Sequence, residues 1–390
     1  MDVAHLCSSL VQIQSENPPG STAEVVEYIK GFLDSLGVRS VVDSHPGGRA
    51  NLVTTAPGAR LLLCGHLDVV PAIADGWTHH PYSGDVADGY VWGRGATDMK
   101  GGCAALLAAY QKLVNAGEEA AVQFAFVCDE ETGGEYGIQS LLAQDLLVPR
   151  DCLIAEPTPP LCPTIGQKGL CRLEIDFTGE PGHSSLYPVV GRSAVMEAFD
   201  LLEYMKELHQ QRYVAGEAMQ DLVERSSQAL EEVFGMQGLR DVLTRIMYNP
   251  GRIEGGEKAN IVAERCRMEL DIRVPWGCSA GTLLAAITAR AEHAAVREIN
   301  LADPTLTPAD TVLVGTLCSA IEAVYAAPAA PILQWAATDA RYLRAAGFDV
   351  AEYGPGEITL LHAVDERVGV ADLENAARVY QRVMAAYSGV

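Results

Sequence analysis

Three short apolar runs, at 60–64, 122–128 and 152–155, alternate with stretches of helical spacing, and this alternation constrains the chain more than any other feature. Over 21–36, Val25, Val26, Ile29, Phe32, Leu33 and Leu36 recur at helical spacing before Gly37, and further helical patterns cover 101–114 and 138–142. A run that is short and apolar throughout reads as a strand buried on both faces. Strands separated by helices of this length return to the same sheet in parallel. The pattern predicts an α/β fold, a mostly parallel sheet covered by helices.

The pattern changes at Leu170. Residues 171–177 alternate Arg172, Glu174 and Asp176 against Leu173, Ile175 and Phe177, and 265–274 alternates in the same way, as half-exposed strands do. Helical patterns occupy 194–211, roughly 217–247, and 280–295, then resume at 311–326 and 372–387. A chain of 390 residues exceeds what one core usually serves. The expected organisation is a discontinuous larger domain, 1–169 with 304–390, into which a smaller α+β domain, 170–303, is inserted.

The formal charge of -23 repels phosphate backbones and anionic lipid, which argues against nucleic acid and membrane surfaces as partners. An acidic surface also serves solubility, and some of the carboxylates are available as metal ligands. The ten cysteines include no C-x-x-C pair and fall mostly inside apolar runs, so they read as reduced core residues. The first residues carry no basic segment followed by an apolar run, and no stretch reaches the ~18 apolar residues of a membrane helix. A cytoplasmic location is the expectation.

Chemistry-bearing residues gather where the strands end. The first run leads to Gly65-His66-Leu67-Asp68, the second to Asp129-Glu130-Glu131, and the third to Glu156-Pro157, while Asp98 opens the 101–114 helix. The carboxyl ends of parallel strands are where α/β proteins bind ligands. In His-x-Asp the two side chains share one side of the extended chain, which suits an imidazole ligand with a supporting carboxylate, though a surface hydrogen-bonded pair has the same spacing. Adjacent carboxylates after an apolar strand repel one another and a cation would hold them, whereas a solvated acidic turn would not need one. Gly93-Arg94-Gly95 is no phosphate loop: the G-x-G-x-x-G pattern is incomplete and Asp98 stands where a donor is required.

With these segments in view, the chain resembles the M20-type metallopeptidase and deacylase family, which includes acetylornithine deacetylase, succinyl-diaminopimelate desuccinylase, aminoacylase-1 and carboxypeptidase G2. The resemblance rests on Gly65-His66-Leu67-Asp68-Val69-Val70-Pro71, the segment Gly93 to Gly102, Asp129-Glu130-Glu131-Thr132-Gly133, and Glu156-Pro157-Thr158. It continues through Gly182-His183-Ser184-Ser185, Asn260-Ile261-Val262, Asp271-Ile272-Arg273, and Gly354-Pro355-Gly356 before His362. It implies a di-zinc exopeptidase-like catalytic domain with an inserted lid or dimerisation domain.

The resemblance also implies the site roles. Asp98 would bridge two divalent metal ions, His66 and Glu156 would bind one, and Glu131 and His362 the other. Glu130 would be the general base toward a water shared by the metals, and Asp68 would orient His66. His183 would polarise the scissile carbonyl from a neighbouring subunit, so a homodimer through the insert is expected. Arg273, Asn260, Gly354 and Gly356 would bind substrate, Arg273 by pairing with a carboxylate. Read without the family, an arginine on an alternating strand such as Arg273 is in most cases a solvated surface residue. Zn²⁺ suits the mixed imidazole and carboxylate set, and Co²⁺ or Mn²⁺ would substitute.

The implied reaction is removal of an acyl group from an N-acyl amino acid, as in arginine or lysine biosynthesis. Gly354-Pro355-Gly356 resembles the acetylornithine deacetylase side. The desuccinylases carry Gly-Gly-Thr-Ser-Asp upstream, where this chain has Gln334-Trp335-Ala336-Ala337-Thr338-Asp339, and its helical stretch at 207–248 is longer than theirs. A carboxypeptidase or dipeptidase would use every one of the same ligands. A non-catalytic metal-binding homologue is disfavoured because Glu130 and all the ligands are present.

Overall fold

A computed structural model describes residues 2–118, 120–213 and 216–388. Contacts divide the chain into two compact units, Met1–Ile165 with Leu306–Ile332 and Thr338–Val390, and Gly166–Thr305 with Leu333–Ala337.

In the first unit the Leu61–His66 strand lies between Val122–Val127 and Asp151–Ile154, parallel to both, and Asp349–Glu352 continues the parallel set. His66 pairs in register with Val127, Cys64 with Ile154, and Ile154 with Glu352. Every residue of the Leu61–His66 and Val122–Val127 strands is buried, as a sheet covered on both faces requires. Ala50–Thr54 and Ser40–Ser44 add antiparallel strands beside Val122–Val127. Among the covering helices, Val370–Ser388 buries Leu373, Ala376, Ala377, Tyr380, Val383, Met384 and Tyr387, the three-and-four spacing of one apolar stripe. This stripe packs on the Lys100–Asn115 helix, whose alanines let the two approach closely.

The second unit is a four-stranded antiparallel sheet in the order Met247–Gly255, Arg265–Val274, Gly169–Thr178, Ala294–Ala302. Leu173 faces Leu270 and Ile175 faces Met268, and this apolar side packs on Ala198, Leu201 and Met205 of the Ala194–Gln210 helix and Leu283 and Ile287 of the Ala280–Arg290 helix. Two expected helices are shorter than their patterns. The 217–247 stretch is helical at Glu217–Phe234 and Leu239–Thr244, broken by Gly235 and Gly238 at positive φ, and then becomes the edge strand Met247–Gly255. Pro250 sits in that edge strand at a register shift, one of the few strand positions proline tolerates. The 280–295 helix ends at Arg290, and Ala294–Ala302 is a strand. Val214 and Ala215, within the long helical stretch of the sequence reading, lie outside the described residues. All ten cysteines are free, and among the described residues no helix is long and apolar enough to cross a membrane.

Candidate metal centre

Because the parallel strands run in one direction, the residues that follow them emerge on one edge of the sheet. His66 Nε2 lies 2.9 Å from Asp98 Oδ1 and 3.7 Å from Glu156 Oε1. His362 Nε2 lies 3.2 Å from Asp98 Oδ2 and 3.4 Å from Glu131 Oε1. Two sets of three potential ligands result, His66–Asp98–Glu156 and Asp98–Glu131–His362, each with ligand atoms within 4.8 Å of one another. Asp98 belongs to both and offers a different oxygen to each imidazole.

The donor set fits a pair of divalent cations. His66 Nδ1 is 2.9 Å from the Asp68 carbonyl oxygen, which can only accept, so Nδ1 carries a proton and Nε2 is the nitrogen turned toward Asp98 and Glu156. Glu131 Oε1 is buried and has no hydrogen-bond partner, its contact with His362 being too long for one. Burial pushes the Glu130 and Glu156 carboxyls well above their ordinary range and raises Glu131. Burial alone would keep His66 neutral, but Asp68, Asp98 and Glu156 outweigh it and hold its pKa well above the usual value. The neighbouring Asp98 and Glu131 carboxylates push His362 up to about 10. A cluster that gathers protons this strongly is short of positive charge, and cations would supply it in their place.

The carboxylate of Asp68 faces both His66 and the turn that follows the Val122–Val127 strand. It lies 3.5 Å from His66 Nδ1, whereas it accepts the backbone N–H groups of Glu130 at 3.1 Å and Glu131 at 3.2 Å and the Asn17 side-chain amide at 2.8 Å. It therefore fixes the turn carrying Glu130 and Glu131. Asp129, at a positive φ, closes the same turn by accepting the N–H groups of Tyr136 and Gly137 at 2.8 Å each. Beneath it lies Asp339, both of whose carboxyl oxygens are buried without a hydrogen-bond partner, and burial pushes its pKa up to about 7.

Sequence reasoning assigned no site role to Asn17, Arg94, Glu366 or Asp339. The Asn17-Pro18-Pro19-Gly20 turn was a usable signal for the first. A buried charge pair such as Arg94–Glu366 has no local signature, because its partners are 272 residues apart.

Gly354 and Gly356 make room for close approach. A Cβ on Gly354 would fall 2.3 Å from the Ala155 carbonyl oxygen, and one on Gly356, at φ 146°, would fall 2.5 Å from the Thr97 side chain. These glycines bring the 354–356 loop against the segments bearing Glu156 and Asp98. In the second unit, His183 bridges Ile261, and the Ser184 N–H donates to the Asn260 carbonyl oxygen at 3.2 Å, so His183 and Asn260 occupy paired, exposed segments. Arg273 Nε donates to Asp271 at 3.0 Å.

Residues 62–386 match the model of peptidase family M20/M25/M40. An N-acetyl-L-citrulline deacetylase of Xanthomonas campestris is 30% identical over 385 residues, covering 96% of this chain and 95% of the other. A succinyl-diaminopimelate desuccinylase of Paracoccus denitrificans is 31% identical over 413 aligned positions, covering 99% and 98%. Among solved structures, an M20 family metallo-carboxypeptidase from Sulfolobus solfataricus superposes over the full length of both chains with a TM-score of 0.81 at 19% identity. Human carnosine dipeptidase 1 does so with a TM-score of 0.74 at 15% identity, over 100% of this chain and 97% of the other. At such identities these two likenesses speak for the fold.

Proposed function

The chain belongs to peptidase family M20/M25/M40, a hydrolase family acting on amides, and from that premise we propose that it removes the acyl group from an N-acyl amino acid. The observation that carries the reading is Asp98, whose two oxygens face two separate imidazole-carboxylate sets. The names of the deacetylase and desuccinylase relatives favour deacylation over peptide hydrolysis.

Two divalent cations, for which Zn²⁺ suits the donors best, would supply a nucleophile near neutral pH and polarise the acyl carbonyl. His66 and Glu156 would hold one, Glu131 and His362 the other, and Asp98 both. Glu130 in its carboxylate form accepts the nucleophile's proton and, now an acid, passes it to the departing amine nitrogen. The Asp68 carboxylate keeps Glu130 aimed by holding its N–H. The Ser185 N–H donates to His183 Nδ1 at 3.3 Å, which leaves the ring proton on Nε2, free to stabilise the oxyanion. Arg273 is the residue for a substrate carboxylate, and Asn260, Gly354 and Gly356 are further substrate-binding residues. The second unit serves as lid and dimerisation domain, with His183 acting on the neighbouring subunit's site.

The test is release of free amine from N-acetylornithine, N-acetylcitrulline, N-succinyl-diaminopimelate, other N-acyl amino acids and dipeptides, with Zn²⁺ or Co²⁺ added. Turnover of dipeptides alone would replace deacylation by peptidase action. Glu130→Gln should keep both metals by elemental analysis and lose turnover by about 10²–10⁴-fold, the usual contribution of a general base. Undiminished turnover in that variant would overturn the role given to Glu130.

A further inference from the structure

We propose that the buried Arg94–Glu366 ion pair is a positioning pair that sets the gap between Asp98 and His362, and through it the affinity for the cation held by Asp98, Glu131 and His362. The inference rests on the two-metal reading above.

The contacts form one continuous path. Glu366 Oε1 accepts the backbone N–H groups of Gly95 at 2.9 Å, Thr97 at 3.0 Å and Asp98 at 3.1 Å. Glu366 Oε2 accepts from Arg94 Nη1. Arg94 then reaches across, Nη2 donating to the His362 carbonyl oxygen at 3.1 Å and Nη1 to that of Ala363 at 3.3 Å. The backbone of the bridging aspartate is thus tied to that of His362 through charge-assisted hydrogen bonds, between side chains only 5% and 0% exposed.

The two ligand sets depend on this path unequally. His66 ends a central strand and Glu156 follows another, so the first set has two ligands placed by the sheet. In the second set, Asp98 and His362 both hang on the pair. The His362 side chain is 51% exposed and its backbone is at φ 61°, so packing around it is sparse. Arginine is required because its planar fork meets a carboxylate and two carbonyls at once, which the single ammonium of lysine cannot.

The experiment titrates metal-stripped protein with Co²⁺, reading the two equivalents by visible absorption and calorimetry. Arg94→Lys keeps the charge opposite Glu366 but loses the fork. It should bind the first equivalent as the unaltered protein does and the second about 10–100-fold more weakly, the usual effect of removing a residue that orients ligands. The double variant Arg94→Met/Glu366→Gln leaves no buried charge unpaired and should show the same selective weakening, which covers a lysine variant that fails to fold. Second-equivalent affinity unchanged in a folded variant overturns the proposal. Failure of both variants to fold, by circular dichroism, assigns the pair to folding and overturns it as well. If the unaltered protein binds fewer than two Co²⁺, the two-metal reading itself fails and this inference with it.

Discussion

Asp68 makes contacts on two sides of the candidate site. Its place two residues after His66 suggests support for the imidazole, yet the carbonyl of Asp68 takes that part, and the carboxylate holds the Glu130 and Glu131 amides. Asp68→Asn turns one acceptor into a donor facing these N–H groups or Asn17. It should lower kcat about 10–100-fold while the protein keeps both metals and a similar KM. Loss of one metal with turnover per bound pair intact would return Asp68 to the role of orienting His66. His66, Asp98, Glu131 and Glu156 were legible as candidates because each sits beside a strand end or helix start that its own neighbours define, whereas His362 came only with the resemblance. Asn17, Arg94 and Glu366 were not, because a buried polar group is given meaning by a partner far along the chain, and only folding names that partner.

At the scale of elements, legibility followed continuity of pattern. The Leu61–His66, Val122–Val127 and Arg265–Val274 strands stood out through unbroken apolar runs or strict alternation. The Met247–Gly255 and Ala294–Ala302 edge strands did not, since neither contains a fully buried residue and one contains proline. The Leu239–Thr244 helix near the edge strand is anchored by Lys168, which is 1% exposed and donates to the Val242 and Arg245 carbonyl oxygens at 2.6 Å each. Burial, and then the charge of Arg273, pull the Lys168 pKa down from 10.5 to about 7. The unfolded chain therefore binds one more proton than the folded chain between about 7 and 10.5, and this residue makes stability rise with pH in that window. Below about 7 the cost of burying the charge is fully present. In urea titrations at fixed metal, the slope should approach roughly 1 kcal/mol per pH unit and shrink in Lys168→Met. The same slope in both proteins would mean that Lys168 keeps an ordinary pKa.

For the molecule as a whole, the open question is whether one chain completes the site. The stretch from Leu186 to Phe199 exposes Leu186, Val189, Val190, Val195, Met196 and Phe199, with Val189 at 92%. Apolar residues concentrated in this way mark a surface that another protein covers, and a second copy of the chain is the partner proposed above. His183 begins the turn that leads into this stretch, so a dimer formed through it would carry His183 to the interface. Complementation tests this without a structure of the dimer. His183→Ala and Glu130→Gln should each be nearly inactive alone. In a mixed dimer, the subunit with intact Glu130 receives intact His183 from its neighbour, and one of the two sites works. Random exchange makes about half of the dimers mixed, so about a quarter of the sites should regain turnover. If His183 serves its own chain, every site keeps one defect and mixing restores nothing, even when subunit exchange is verified by tagged copies. An active monomer would remove the need for a second chain altogether.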